Sequence, residues 1–137
     1  MSQPVTIEVA AGLVFRGGQL LITQRAAGSH LGGLWEFPGG KREPGESYEA
    51  CLIRELQEEL GIEVEVGRLI EELVHPYPEK TVRLRFFQCR WLKNEPTPID
   101  CAALAWVGVH QLSEYRFPAA DARLLQRLQS EPEWWSA

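Results

Sequence analysis

The chain has 137 residues, 45% of them hydrophobic and 24% charged, with 14 basic and 19 acidic residues giving a formal net charge of −5. That length fits one domain, and that balance excludes a disordered or collagen-like chain. The acidic excess argues against a nucleic-acid coat, and the longest apolar run, Val9 to Phe15, is far too short to span a bilayer. Cys51, Cys89 and Cys101 are too few for a disulfide framework and too scattered for a zinc site. The N-terminal Met1-Ser2-Gln3-Pro4 carries no basic-then-apolar secretory signal. The expectation is a reduced, cytoplasmic protein that binds neither DNA, RNA nor a membrane.

Val5 to Phe15, rich in Val, Ile and Ala, reads as a strand, turned by Gly17-Gly18 into a hairpin partner at Gln19 to Gln24. Ala26 to Gly33 is a loop, and Leu34 to Pro38 a short extended piece. Gly39-Gly40 follows, where the backbone can take conformations barred to other residues. Ser47 opens the strongest helix of the chain as its N-cap, and Gly61 stops it after Leu60. Leu52, Ile53, Leu56 and Leu60 form its apolar stripe. Glu63 to Val74 reads as a strand that His75-Pro76-Tyr77-Pro78 breaks, and Thr81 to Leu92 as another, with Val82, Leu84 and Phe86 on one face. Ala102 to Val107 is a short buried strand and Leu112 to Tyr115 a helical turn. Ala119 to Leu128 is a helix with Leu124, Leu125 and Leu128 inward. The tail from Glu131 to Ala137, with Trp134 and Trp135, has no assignable element; its aromatics suit either a dimer contact or packing on the protein's own surface. Monomer and homodimer both stay open. This order of elements predicts an α/β (α+β) sandwich, a mixed sheet between helices.

On the central helix Glu55, Glu58 and Glu59 fall within an arc of roughly 100°. Like charges at this spacing repel by a few tenths of a kcal/mol, roughly. A divalent cation is the natural offset, and Mg²⁺ with its oxygen ligands points to a phosphate ester or anhydride as substrate. An acidic cluster alone is most often a solvated face. The Gly-Gly pair upstream and Glu46 before the helix set this one apart.

Gly40, five residues, Glu46, seven residues, then Arg54-Glu55-Leu56-Gln57-Glu58-Glu59-Leu60-Gly61-Ile62 matches the Nudix box at every fixed position, over residues 40–62. The chain therefore resembles the Nudix hydrolases. Trp35-Glu36-Phe37-Pro38-Gly39-Gly40-Lys41, Arg25-Ala26-Ala27, Tyr77-Pro78 and Phe117-Pro118-Ala119-Ala120-Asp121 extend the likeness to the MutT-type branch over nearly the whole chain. The resemblance implies a single Nudix domain over residues 1–137, an α/β/α sandwich, and Mg²⁺-dependent hydrolysis with Mn²⁺ as the alternative ion.

By the same resemblance Glu55, Glu58, Glu59 and the Gly39 carbonyl hold the metal, and Arg54 orients Glu55 with Glu46 as its other partner. Asp100, six residues before Trp106, stands where the branch often places one more acid, usually Glu. It is either a metal ligand acting through a water or a turn residue after Pro98. Arg25 and Lys41 are either phosphate contacts or solvated cations, His30 in its loop is either a nucleotide contact or incidental, and Tyr77 lines the base pocket by analogy. Trp35, Phe37 and Phe86 stack on the base or fill the core. Asp121 departs from the Asn common in guanine-sanitising members. Asn donates and accepts, whereas an ionised Asp only accepts, which suits the amine of cytosine or the N1–H and amine of guanine. The bland alternative for Asp121 is a helix N-terminal acid favouring the dipole. The leading expectation is hydrolysis of 8-oxo-dGTP to 8-oxo-dGMP and pyrophosphate, in nucleotide-pool sanitation. CTP, dCTP or a modified cytidine triphosphate is the rival substrate, and a non-catalytic nucleotide-sensing module the rival class.

Overall fold

The computed structural model describes residues 5–136; Met1–Pro4, where no secretory signal is read, and Ala137 lie outside the described residues. Strand β1 (Val5–Arg16) sends Ala11, Leu13 and Phe15 into one core and Ala10 and Val14 into another, as the two-residue period of a strand requires. Gly17 and Gly18, at φ +56° and +80°, turn the chain into β2 (Gln19–Gln24), with Phe15 opposite Leu20 and Arg16 opposite Gln19.

Beyond those two pairs β1 and β2 diverge. The wedge is filled by β3 (Trp35–Glu36), antiparallel to β2, and β4 (Gly39–Lys41), antiparallel to β1. Gly12 N–H donates to the Pro38 carbonyl at 2.8 Å between them. Gly39 and Gly40 thus lie in a strand, and neither has a positive φ. Closeness selects these glycines rather than backbone freedom. A Cβ on Gly39 would overlap the Ala10 carbonyl oxygen, and one on Gly40 would overlap the Glu55 carboxyl.

Helix α1 (Tyr48–Leu60) begins where Ser47 Oγ accepts the Ala50 N–H at 3.0 Å, and ends at Gly61, whose φ is +72°. It buries Cys51, Leu52, Leu56 and Leu60. Ile53 is 46% exposed, contrary to the predicted stripe. It sits about 100° round from Leu52, away from the sheet, and Cys51 takes the buried place on the other flank.

Strands β5 (Glu63–Pro76) and β6 (Lys80–Lys93) form a long antiparallel hairpin. His75 and Pro76 do not break β5, which pairs through Pro76 opposite Thr81; the turn closes with Tyr77 N–H on the Lys80 carbonyl at 2.7 Å. Pro76 is tolerated because β5 is an edge strand, where a missing N–H leaves no ladder bond unmade. β6 runs parallel to β1 from Val5↔Lys80 to Phe15↔Arg90, and β7 (Ala103–Val107) is antiparallel to β2. The sheet is therefore mixed, with order β3-β2-β1-β6-β5 and with β4 on β1 and β7 on β2.

The predicted C-terminal helix starts later than Ala119. Residues Ala119–Asp121 form a 3₁₀ turn and α2 runs Ala122–Ser130, burying Leu124 and Leu128 with Leu125 half-buried. The tail returns as another 3₁₀ turn, Pro132–Trp135, and both tryptophans are buried in the α2-side core. Trp135 meets Phe15 edge-to-face with centroids 5.3 Å apart, and its Nε1–H donates to the Leu128 carbonyl at 2.8 Å. α1 covers one face of the sheet, and α2 with the tail covers the other, an α/β/α sandwich of the α+β class. All three cysteines are free; burial pushes the Cys51 thiol up to about 11 and that of Cys89 to about 12. Among the described residues no helix is long and apolar enough to cross a membrane.

Candidate active site

Arg54 organises the acids of α1. Its Nε and Nη2 grip the Glu46 carboxyl at 2.7 and 2.9 Å, and its Nη1 reaches Glu55 at 2.9 Å and Glu58 at 3.2 Å. Nη2 also donates to the Lys41 carbonyl at 3.2 Å, tying α1 to β4. The Arg54 hydrogen bond holds the Glu46 carboxyl down at about 2, and the same bond raises Arg54.

A cavity of about 660 Å³ opens where β3 and β4 fill the wedge. Glu55 and Glu59 of α1 line it beside Gly39, Gly40 and Lys41 of β4. Arg25, His30 and Leu31 come from the loop after β2, and Asp121 from the turn before α2. Val9, Ala11, Phe37, Leu73, Val82, Leu84 and Phe86 supply apolar walls. Tyr77 meets His75 at 4.5 Å and His30 at 6.3 Å, both edge-to-face, and all three line the cavity. Arg25 donates to the His30 carbonyl at 2.6 Å and to Glu36 at 3.0 Å, so this cation is partnered rather than solvated. Lys41 is exposed at the cavity rim.

The cavity acids are electrostatically strained. Burial pushes Glu59 up to about 8, and the charges of Glu55, Glu36 and Asp100 add to it. Burial also raises Glu36, against the pull of Arg25. Asp121 is 7% exposed and is lifted to about 6 by burial and by the charge of Glu36. It stands directly before α2 and makes no side-chain cap bond to it. The other predicted acids stand apart. Glu58 is 59% exposed and outside the cavity lining. Asp100 is exposed, with its backbone N–H on the Glu59 carbonyl at 3.3 Å.

Among the described residues no three His, Cys, Asp or Glu side chains converge into a ready-made metal cage, and Glu55 and Glu58 both accept from Arg54. The donor set nonetheless fits a hard divalent cation: hard oxygens, desolvated, with excess negative charge that a cation would relieve. Glu36, His75 and Lys80 line the cavity without having been singled out as site residues. Glu36 had a signal, its place just before Phe37-Pro38-Gly39-Gly40; His75 and Lys80, a lone histidine and a lone lysine, had none.

Residues 10–127 match the family model described as NUDIX domain. The chain belongs to that family, whose hydrolases use divalent metal cations, and within it is of the MutT type. It is 44% identical over 92 residues to an 8-oxo-dGTP diphosphatase of Proteus vulgaris, covering 66% of this chain and 82% of that protein. It is 37% identical to a CTP pyrophosphohydrolase of Escherichia coli strain K12, covering 88% of this chain and 89% of that one. The solution structure of the E. coli ORF135 protein superposes with a TM-score of 0.79 at 34% identity, over 93% of this chain and 91% of that one.

Proposed function

We propose that this protein is a nucleoside triphosphate pyrophosphohydrolase that converts 8-oxo-dGTP and water to 8-oxo-dGMP and pyrophosphate. The observation that carries this reading is one cavity that holds both the box acids Glu55 and Glu59 and a buried carboxyl, Asp121, among apolar walls. The first set suits a phosphate chain with its cation, the second a nucleobase. The relatives' printed activities, on 8-oxo-dGTP and on CTP, support the substrate class.

Glu55, Glu58, Glu59 and the Gly39 carbonyl would hold the divalent ion, Mg²⁺ by default, with Asp100 as a further acid beside Glu59. When bound, the ion neutralises the triphosphate and polarises the phosphorus that water attacks. Arg54 keeps Glu55 oriented and, with Glu46, fixes α1 against β4. Arg25, His30 and Lys41 face the phosphates or sugar from the cavity rim, and Tyr77 flanks the base between two histidines. Asp121 reads the base edge. As a carboxylate it accepts from the guanine N1–H and amine; as an acid, which its raised affinity for a proton favours, it also donates.

A second reading, a preference for CTP, dCTP or a modified cytidine triphosphate, is favoured by the same residue, since an ionised Asp121 is a good acceptor for the cytosine amine. Parallel kcat/KM measurements with a divalent cation on 8-oxo-dGTP, dGTP, CTP and 5-methyl-dCTP separate the two. 8-oxo-dGTP should give the highest value, well above dGTP. Highest values for the cytidine compounds would make the second reading correct.

A further inference from the structure

Glu71 lies on β5 two residues before that strand enters the cavity wall at Leu73. Its side chain is only 5% exposed. Its Oε1 accepts from Arg127 of α2 at 2.8 Å, and Arg123, one turn earlier on the same helix, reaches that oxygen at 3.4 Å. Arg127 Nη1 also donates to the Ile70 carbonyl at 2.9 Å, and the Trp134 ring lies 5.1 Å from its guanidinium. The rest of the helix contact is apolar, through Leu124 and Leu128. Leucine packing tolerates small rotations of a helix, whereas hydrogen bonds with fixed angles do not. The second carboxylate oxygen of Glu71 is buried with no partner. Such an arrangement is a poor source of net stability, so a role in fixing geometry accounts for it better.

Asp121 stands immediately before α2, its backbone N–H on the Pro118 carbonyl at 3.0 Å and its side chain making no cap bond, so its carboxyl is placed with the start of the helix. We infer that Glu71 is a positioning residue: by clamping Arg127 it sets the rotation of α2, and through it the placement of the Asp121 carboxyl against the nucleobase. The inference rests on the reading of Asp121 as the base-contacting group.

The test is kcat and KM for 8-oxo-dGTP and CTP in the wild type, Glu71→Gln, Asp121→Asn and the double variant. Glu71→Gln keeps the shape of the side chain and leaves Arg127 access to solvent, so the protein should fold, as a thermal melt will show. Its kcat on the better substrate should stay within about twofold, while the ratio of kcat/KM between the two substrates shifts by roughly fivefold or more. In the Asp121→Asn background the Glu71 change should move that ratio no further, since coupled residues are not additive. Arg127→Lys, which keeps the charge but not the fork of donors, should shift the ratio in the same direction and decides the matter if Glu71→Gln does not fold. The inference is overturned if Asp121→Asn changes the ratio and the Glu71 and Arg127 changes do not, or if Glu71→Gln shifts it equally in both backgrounds. If Asp121→Asn leaves the ratio unchanged, the reading of Asp121 itself fails, and the inference with it.

Discussion

Asp121 and Glu46 show how the same chemical group is tuned in opposite directions by its surroundings. Glu46 has the Arg54 fork and stays ionised to about pH 2; Asp121 has burial and the Glu36 charge against it and titrates near 6. For Asp121 the folded value lies above the ordinary 3.8, so the folded state holds the extra proton between those limits. Stability falls as pH rises through that window, and at pH 7 the charged form costs up to about 3 kcal/mol. Asp121→Asn should therefore melt at a higher temperature than the wild type at pH 7, with the gain shrinking to nothing below about pH 4. Melts across that range in EDTA check this, and a gain independent of pH would show that the carboxyl is not strained. The position of Asp121 at a helix start was legible in the sequence; its burial was not, because the cavity it lines is walled by Phe37, Leu84 and other distant segments. The Glu71–Arg127 pair was hidden for the same reason, since partners 56 residues apart leave no local pattern.

At the scale of elements the box was legible because its spacing is helical and local. Ser47, Gly61 and the line of Glu55 and Glu59 all follow from α1 alone. Gly39 and Gly40 were legible as glycines with a purpose but not with the right one. Their constraint comes from β1 and α1 pressing on β4, and the two should fail differently. Gly39→Ala sets a Cβ against the backbone of Ala10, which cannot yield, and should cost about 3 kcal/mol of stability in denaturant unfolding. Gly40→Ala meets the flexible end of Glu55 and should cost much less stability, but should lower kcat at least tenfold by displacing that carboxyl. Equal losses of stability in both would contradict the assignment. His75-Pro76 was misread because Pro opposes strands in general, yet an edge strand accommodates it. Trp134 and Trp135 were illegible because their burial depends on Phe15 and Leu128 of other elements.

Across the whole molecule, an acidic chain gathers desolvated carboxylates into one cavity, with Arg25 holding Glu36 from within it and Arg54 holding Glu55 from beside it. Glu59 titrates near 8 instead of 4.5, so like Asp121 it costs stability as pH rises. Without a cation the protein should therefore lose stability between about pH 5 and 8, and adding Mg²⁺ at pH 8 should raise the melting temperature. Glu59→Gln should melt higher than the wild type in EDTA and lose most of the Mg²⁺ increment; an unchanged increment would remove Glu59 from the cation site. This cavity is read as bringing cation, phosphates and base together in one reaction. The measurement that tests it most directly is phosphorus NMR of the products from 8-oxo-dGTP with Mg²⁺. A nucleoside monophosphate and pyrophosphate should appear in equal amounts. Orthophosphate with a nucleoside diphosphate, or no turnover at all, would contradict it.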